Sequence, residues 1–133
     1  MNNPESIPEL HHVAYVVPNI EEAADKLRTI FGAVEKTKSI FIQADNMHVA
    51  FLTFPGGRIE LVAKPKGAFQ NKGIVLHPDH VCFLCSDFDD RVKNVADKGG
   101  TIVRAPIASE AFQGRRMCFI HYRDAGLIEW VEK

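Results

Sequence analysis

The sequence predicts an α+β fold of two tandem modules, each running strand, helix, three strands. Three observations predict it. A β-like apolar stretch gives way to apolar residues at helical spacing and then to further β-like stretches, and this happens twice along the chain. Turn and cap residues fall at the switches. Segments of the second half also overlay segments of the first, although literal identity between them is low.

Residues 10–17 (LHHVAYVV) read as a strand, and Pro18-Asn19 stops it and starts a helix. Ile20, Ala23, Ala24, Leu27 and Phe31 recur at helical spacing up to Gly32, so one amphipathic helix is expected there. Three strands follow: a weak one over Glu35 to Ile42, a clearer one over His48 to Phe54, and one over Arg58 to Ala63 after the Pro55-Gly56-Gly57 turn. In the second half, residues 80–85 (HVCFLC) read as a strand and Asp87 as a helix cap. Phe88, Val92, Val95 and Ala96 then form the apolar face of a helix ending near Gly99-Gly100. Strands are expected over Thr101 to Arg104, Met117 to Tyr122 and Leu127 to Glu132. This places one module at 8–64, the other at 77–133, and a hinge-like connector at 65–76 (PKGAFQNKGIVL), the whole forming a single domain.

Composition narrows the function. The chain has 133 residues, 46% hydrophobic and 25% charged, and 16 basic against 17 acidic residues give a net charge of -1, which is ordinary for a globular domain. No run of like charges builds the basic surface that phosphate-driven nucleic-acid binding needs. No apolar run approaches the roughly 18 residues of a membrane span. The opening MNNPESIPE lacks a basic stretch followed by an apolar one, so a cytoplasmic protein without nucleic-acid or membrane partners is expected. Three cysteines, an odd number, all lie in apolar runs and read as reduced core residues. Cys82 and Cys85 have Cys-x-x-Cys spacing, but strand residues three apart face opposite ways, and no second pair completes a zinc cluster.

The most informative signal is in the overlay. HHVAYVVPNIEEA matches DHVCFLCSDFDDR, HVAFLTF matches RMCFIHY, and GGRIELVAK matches AGLIEWVEK. His12 falls on His80 at an offset of 68, and Glu60 falls on Glu129 at an offset of 69. Each half thus carries a His near the start of its first strand and a Glu in its last.

Both glutamates have apolar strand neighbours, and an ionised carboxylate left unpaired in a low-dielectric interior is costly. A divalent cation held by two imidazoles and two carboxylates supplies the missing charge and leaves positions open for water or substrate. The alternative pairs each Glu with Lys or Arg and makes each His a structural strand residue. The matched spacing in both halves favours the cation. His11 should face away from His12 by strand alternation; His48 and His121 lie in strands without a repeated partner; His77, before Pro78, reads as connector. No Gly-rich phosphate loop or nucleophile elbow is present. Arg115 and Arg116, in GRR, fit a turn, with a contact to a substrate anion as the functional reading.

On the segments LHHVAYVVPNIEEA, FLTFPGGRIELVAKP, DHVCFLCSDFDD and GLIEWVE, the chain resembles the vicinal oxygen chelate superfamily, which includes glyoxalase I, methylmalonyl-CoA epimerase, extradiol dioxygenases and the bleomycin and fosfomycin resistance proteins. The resemblance runs from about Leu10 to Lys133 and is greatest to the epimerase and glyoxalase branches. It implies two β-α-β-β-β modules forming a curled mixed sheet around a metal cleft, with one metal ion (Zn, Ni, Co, Mn or Fe) on His12, Glu60, His80 and Glu129. It also implies Glu129 as a proton-moving carboxylate. The epimerases carry a further acid/base Glu ahead of the strand that here is HVAFLTF; the nearest carboxylate in QADNMHV is Asp45, one methylene shorter. The connector also looks shorter than in the epimerases. The implied activity is metal-dependent proton transfer next to a carbonyl, as an epimerase or as a glyoxalase-type isomerase or lyase, on an acyl-CoA or a thiol adduct. The alternative is a binding protein of the same fold that sequesters a small molecule such as an antibiotic. The sequence alone leaves open whether the cleft closes within one chain or across a homodimer.

Overall fold

The computed structural model describes residues 6–64 and 77–133, so the connector expected at 65–76 lies outside the described residues. Nine strands and two α-helices are described. They group into two compact units, one of residues 12–79 and the other of residues 80–133 together with the stretch up to His11.

In the first unit, β1 (Glu9–Val16) leads to α1 (Ile20–Phe31). Asn19 caps α1, its side-chain oxygen accepting the Glu22 N–H at 2.9 Å, and Glu21 and Glu22 place negative charge at the helix N-terminus. Ile20, Ala23, Ala24 and Leu27 are buried and pack with Val17, Ala50, Leu52 and Leu61. Phe31, expected on that face, is instead mostly exposed and meets Phe54 edge-on at 5.5 Å. The helix stops at Gly32, whose φ of +98° suits glycine and whose N–H returns to the Arg28 carbonyl.

The weak strand expected over Glu35 to Ile42 forms as two short pieces, β2 (Glu35–Lys36) and β3 (Ile40–Ile42), both antiparallel to β4 (Met47–Phe54). Thr37 bridges the interruption: its N–H bonds the Phe51 carbonyl and its hydroxyl accepts the Phe51 N–H, each at 2.9 Å. A two-residue Pro55-Gly56 turn, with Gly56 at φ +88°, joins β4 to β5 (Gly57–Ala63). β5 then pairs parallel with β1, giving the order β2-β4-β5-β1.

The second unit repeats the plan. β6 (His77–Cys85) pairs parallel with β9 (Gly126–Glu132), β9 pairs antiparallel with β8 (Arg116–Tyr122), and β8 with β7 (Gly100–Ala108). Four expectations change here. His77 is not connector but the first residue of β6, and Pro78 after it lies ahead of the β9 pairing, which begins at Val81. Asp87 stands at the N-cap position of α2 (Phe88–Lys93) without capping it; its carboxylate instead takes the Arg91 Nε–H at 2.7 Å. The single helix expected up to Gly99 is α2 followed by a 3-10 turn at Ala96–Lys98, because the Val95 carbonyl accepts the N–H groups of Lys98 and Gly100. That tightening seats Gly100 where an added Cβ would come within 2.9 Å of both Val95 and Ile120. β7 is longer than the Thr101 to Arg104 expected, continuing through Pro106 because the pairing with β8 shifts register between Arg104 and Ile107.

Two buried clusters pack within the second unit. One joins Cys85, Phe88, Val95, Cys118, Ile120, Ile128 and Trp130; the other joins Cys82, Leu84, Phe112, Met117 and Val131. Cys82 and Cys85 therefore fall in different clusters, as strand alternation requires, and all three cysteines are free and buried. Among the described residues no helix is long and apolar enough to cross a membrane.

Candidate metal centre

Among the described residues, the buried polar or charged side chains are His12 (1% exposed), Glu60 (5%), His80 (8%) and Glu129 (4%). The four residues singled out by the repeat are thus, among the described residues, the polar or charged ones buried as whole residues.

Each pair is assembled in the same way. In the first unit, Ala14 of β1 sits opposite Glu60 of β5, so His12, two residues earlier on the same face, lies diagonal to the carboxylate. His12 Nε2 is 3.4 Å from Glu60 Oε1. On the other side of β5, Phe51 of β4 is opposite Glu60 and meets the His12 ring edge-on, centroids 5.2 Å apart. In the second unit, Cys82 of β6 sits opposite Glu129 of β9, and His80 Nε2 is 3.0 Å from Glu129 Oε1. Phe119 of β8 is opposite Glu129 and meets the His80 ring edge-on at 4.8 Å. The repeat therefore extends to a third residue that the His and Glu spacing did not single out. Its signal lay in the overlay of HVAFLTF on RMCFIHY, where Phe51 falls on Phe119.

Imidazole nitrogen and carboxylate oxygen are common ligands of divalent transition metals, and each pair offers one of each. The aromatic edge against each imidazole helps to fix the ring plane, as the outer contacts of a metal ligand do.

The remaining candidates lie elsewhere. Asp45 is exposed, in a 3-10 turn at Gln43–Asp45 that ends on Asn46 in the left-handed conformation just before β4. Arg115 is half-buried; its Nε donates to the Phe112 carbonyl at 3.3 Å and its guanidinium lies over the Phe112 ring. Arg116 opens β8, binds both Asp89 oxygens at 3.0 and 3.2 Å, and also donates to Glu132. Those carboxylates hold its guanidinium more firmly protonated than usual, and the Arg116 hydrogen bond holds Glu132 below the ordinary glutamate range. His11 is half-buried, its ring edge-on to Phe112 at 5.1 Å. His48 and His121 are exposed.

Comparison with known proteins agrees with this architecture. The sequence is 26% identical over 124 residues to the ethylmalonyl-CoA/methylmalonyl-CoA epimerase of Cereibacter sphaeroides, covering 89% of this chain and 91% of that protein. The fold matches the methylmalonyl-CoA epimerase of Mycobacterium tuberculosis with a TM-score of 0.76 at 22% identity, over 99% of this chain and 92% of the other. A variant of the Streptomyces coelicolor methylmalonyl-CoA epimerase in complex with 2-nitronate-propionyl-CoA matches with a TM-score of 0.73 at 19% identity, over 96% of this chain and 99% of that one. The sequence profile of one family matches residues 11–119, well over half of the chain. This protein belongs to the glyoxalase/bleomycin resistance protein/dioxygenase superfamily.

Proposed function

We propose that this chain is a divalent-metal-dependent epimerase that moves the proton on the carbon next to the carbonyl of a short branched acyl-CoA, with His12, Glu60, His80 and Glu129 as the metal ligands. The observation that carries the reading is the repeated, buried His–Glu pair backed by an aromatic edge in each unit. The donor set fits such an ion: two neutral imidazoles and two carboxylates bring two negative charges, which a divalent cation offsets. When bound, the ion supplies Lewis-acid polarisation of the substrate carbonyl. The Cereibacter relative supports the substrate class, since its name covers acyl-CoA molecules differing by one methylene.

The chain's own residues then move the proton. Glu129 accepts it from the α-carbon, the C–H electron pair shifts onto the carbonyl oxygen, and a proton delivered to the opposite face of that carbon inverts its configuration. Asp45 is our candidate for the second carboxylate; being one methylene shorter than the Glu at the matching place in the epimerases, it gives less reach. We assign the anion contact to Arg115, which has no carboxylate partner among the described residues, whereas Arg116 is held by Asp89 and Glu132.

The test is α-proton exchange of 2-methylmalonyl-CoA in deuterated buffer with the metal-loaded protein. Glu129→Gln, at full metal occupancy, is expected to slow exchange by about a hundredfold or more, the range of general acid/base catalysis. Exchange that survives Glu129→Gln but is lost in Asp45→Asn would move the base role to Asp45. Absence of exchange on acyl-CoA with turnover of a glutathione hemithioacetal would replace the epimerase by the glyoxalase-type reaction.

A further inference from the structure

Strand alternation on β9 sends Ile128 and Trp130 to one face and Glu129 to the other. On the Trp130 face of the second unit lies a cavity of about 360 Å³ that the proton-transfer chemistry does not use. Its walls are Phe83, Tyr122, Ile128 and Trp130, and its rim carries Arg91, Asn94, Lys98 and Ala125. The aromatic walls are braced. Trp130 donates its indole N–H to the Tyr122 hydroxyl at 2.9 Å, and the Arg91 guanidinium lies 4.5 Å from the Trp130 ring centroid. Arg91 is held in turn by Asp87 at 2.7 Å and by the Ser6 carbonyl at 2.6 Å, so the wall is preorganised.

We propose that this cavity binds a small planar aromatic carboxylate. Phe83 and Tyr122 line it with polarisable aromatic surface suited to another aromatic system, beside a Trp130 ring that already carries Arg91 over it. Charge sets the sign of the ligand: the two lining residues charged at neutral pH are both cations, and no carboxylate is among the lining residues. Asp87 already meets the Arg91 charge. The Lys98 ammonium has no ion-pair partner among the described residues, so it remains to receive an anion. Volume sets the size. The cavity is at the low end of small-molecule sites, roughly 300–1,000 Å³, which suits one or two fused rings rather than a nucleotide. This inference does not depend on the epimerase reading, because the cavity and Glu129 lie on opposite faces of β9.

Trp130 is the only tryptophan in the chain, so its indole N–H gives a single, assignable signal inside the cavity wall. The experiment titrates the full-length, ¹⁵N-labelled protein with 1-naphthoate and, separately, with uncharged 1-naphthamide, following that signal. The expected result is a saturable shift with naphthoate, about tenfold weaker binding of naphthamide, and about tenfold weaker naphthoate binding in Lys98→Ala, as loss of a charge-assisted contact predicts. Ala125→Leu, at an exposed lining position, should plug the cavity and remove the shift. No saturable shift at millimolar naphthoate, equal binding of the amide, or wild-type affinity in either variant whose indole signal otherwise matches the wild type would overturn the proposal.

Discussion

His12 and His80 are held by the same two contacts, a carboxylate at one ring nitrogen and a phenylalanine edge against the ring, although their modules share few identical residues. What the two halves have in common is thus concentrated where orientation of a polar group matters, while core positions diverge freely among residues of similar hydrophobicity. The cysteines show the other side of this. Cys82 replaces Ala14 opposite the glutamate, and both are small residues buried beside it. Burial pushes the Cys85 thiol up to about 11 and the Cys118 thiol up to about 12. At pH 8 only about one Cys85 in a thousand is then thiolate, the form that reacts. Titration with a disulfide reagent at pH 8 should therefore find three free thiols after unfolding and none reacting promptly in the native protein. A count of one after non-reducing denaturation would mean that a disulfide has formed.

Elements differ in how openly the sequence announces them. α1 was legible to the residue at both ends because Asn19 and Gly32 each make the cap bond their chemistry favours. Strands β4, β5, β8 and β9 were legible because short apolar runs are bounded by turn residues. The end of α2 was not. Phe88, Val92 and Val95 satisfy helical spacing whether the chain continues as an α-helix or tightens to 3-10, and the choice is made by the close approach of Gly100 to Ile120, which is a tertiary contact. Asp87 misled for a related reason: a carboxylate four residues before an arginine on one helical turn can pair with it instead of capping.

Arg116 is another tertiary choice, tying the start of β8 to Asp89 on α2 and to Glu132 at the end of β9. Because the Arg116 hydrogen bond lowers the Glu132 pKa in the folded state, the stability it contributes is fully present above the ordinary value of 4.5 and is lost as pH falls through the lowered folded value. Glu132→Gln should accordingly melt below the wild type at pH 7, with the gap closing as the pH is taken well below 4.5. A gap that stays constant down to pH 2 would show that the carboxylate charge is not what the clip uses.

At the scale of the whole chain, each unit holds one His–Glu pair, and two donors alone make a weak site for an ion that prefers at least four ligands. The proposed shared cation therefore predicts a stoichiometry that two independent sites would not give: one divalent metal per chain by elemental analysis after loading and desalting. Since such an ion binds the folded chain and not the unfolded one, free metal at a hundred times its dissociation constant should add about 2.7 kcal/mol of stability, and a chelator should remove it. His12→Ala in one unit and Glu129→Ala in the other should each lower the bound metal well below one per chain and abolish the chelator-sensitive part of the melting temperature. His77→Ala is the control, because His77 is exposed at the start of β6 and should leave both readouts unchanged. Two metals per chain, each lost separately by substitution in its own unit, would assign an independent site to each module, and the single-cation chemistry proposed here would then have to be abandoned.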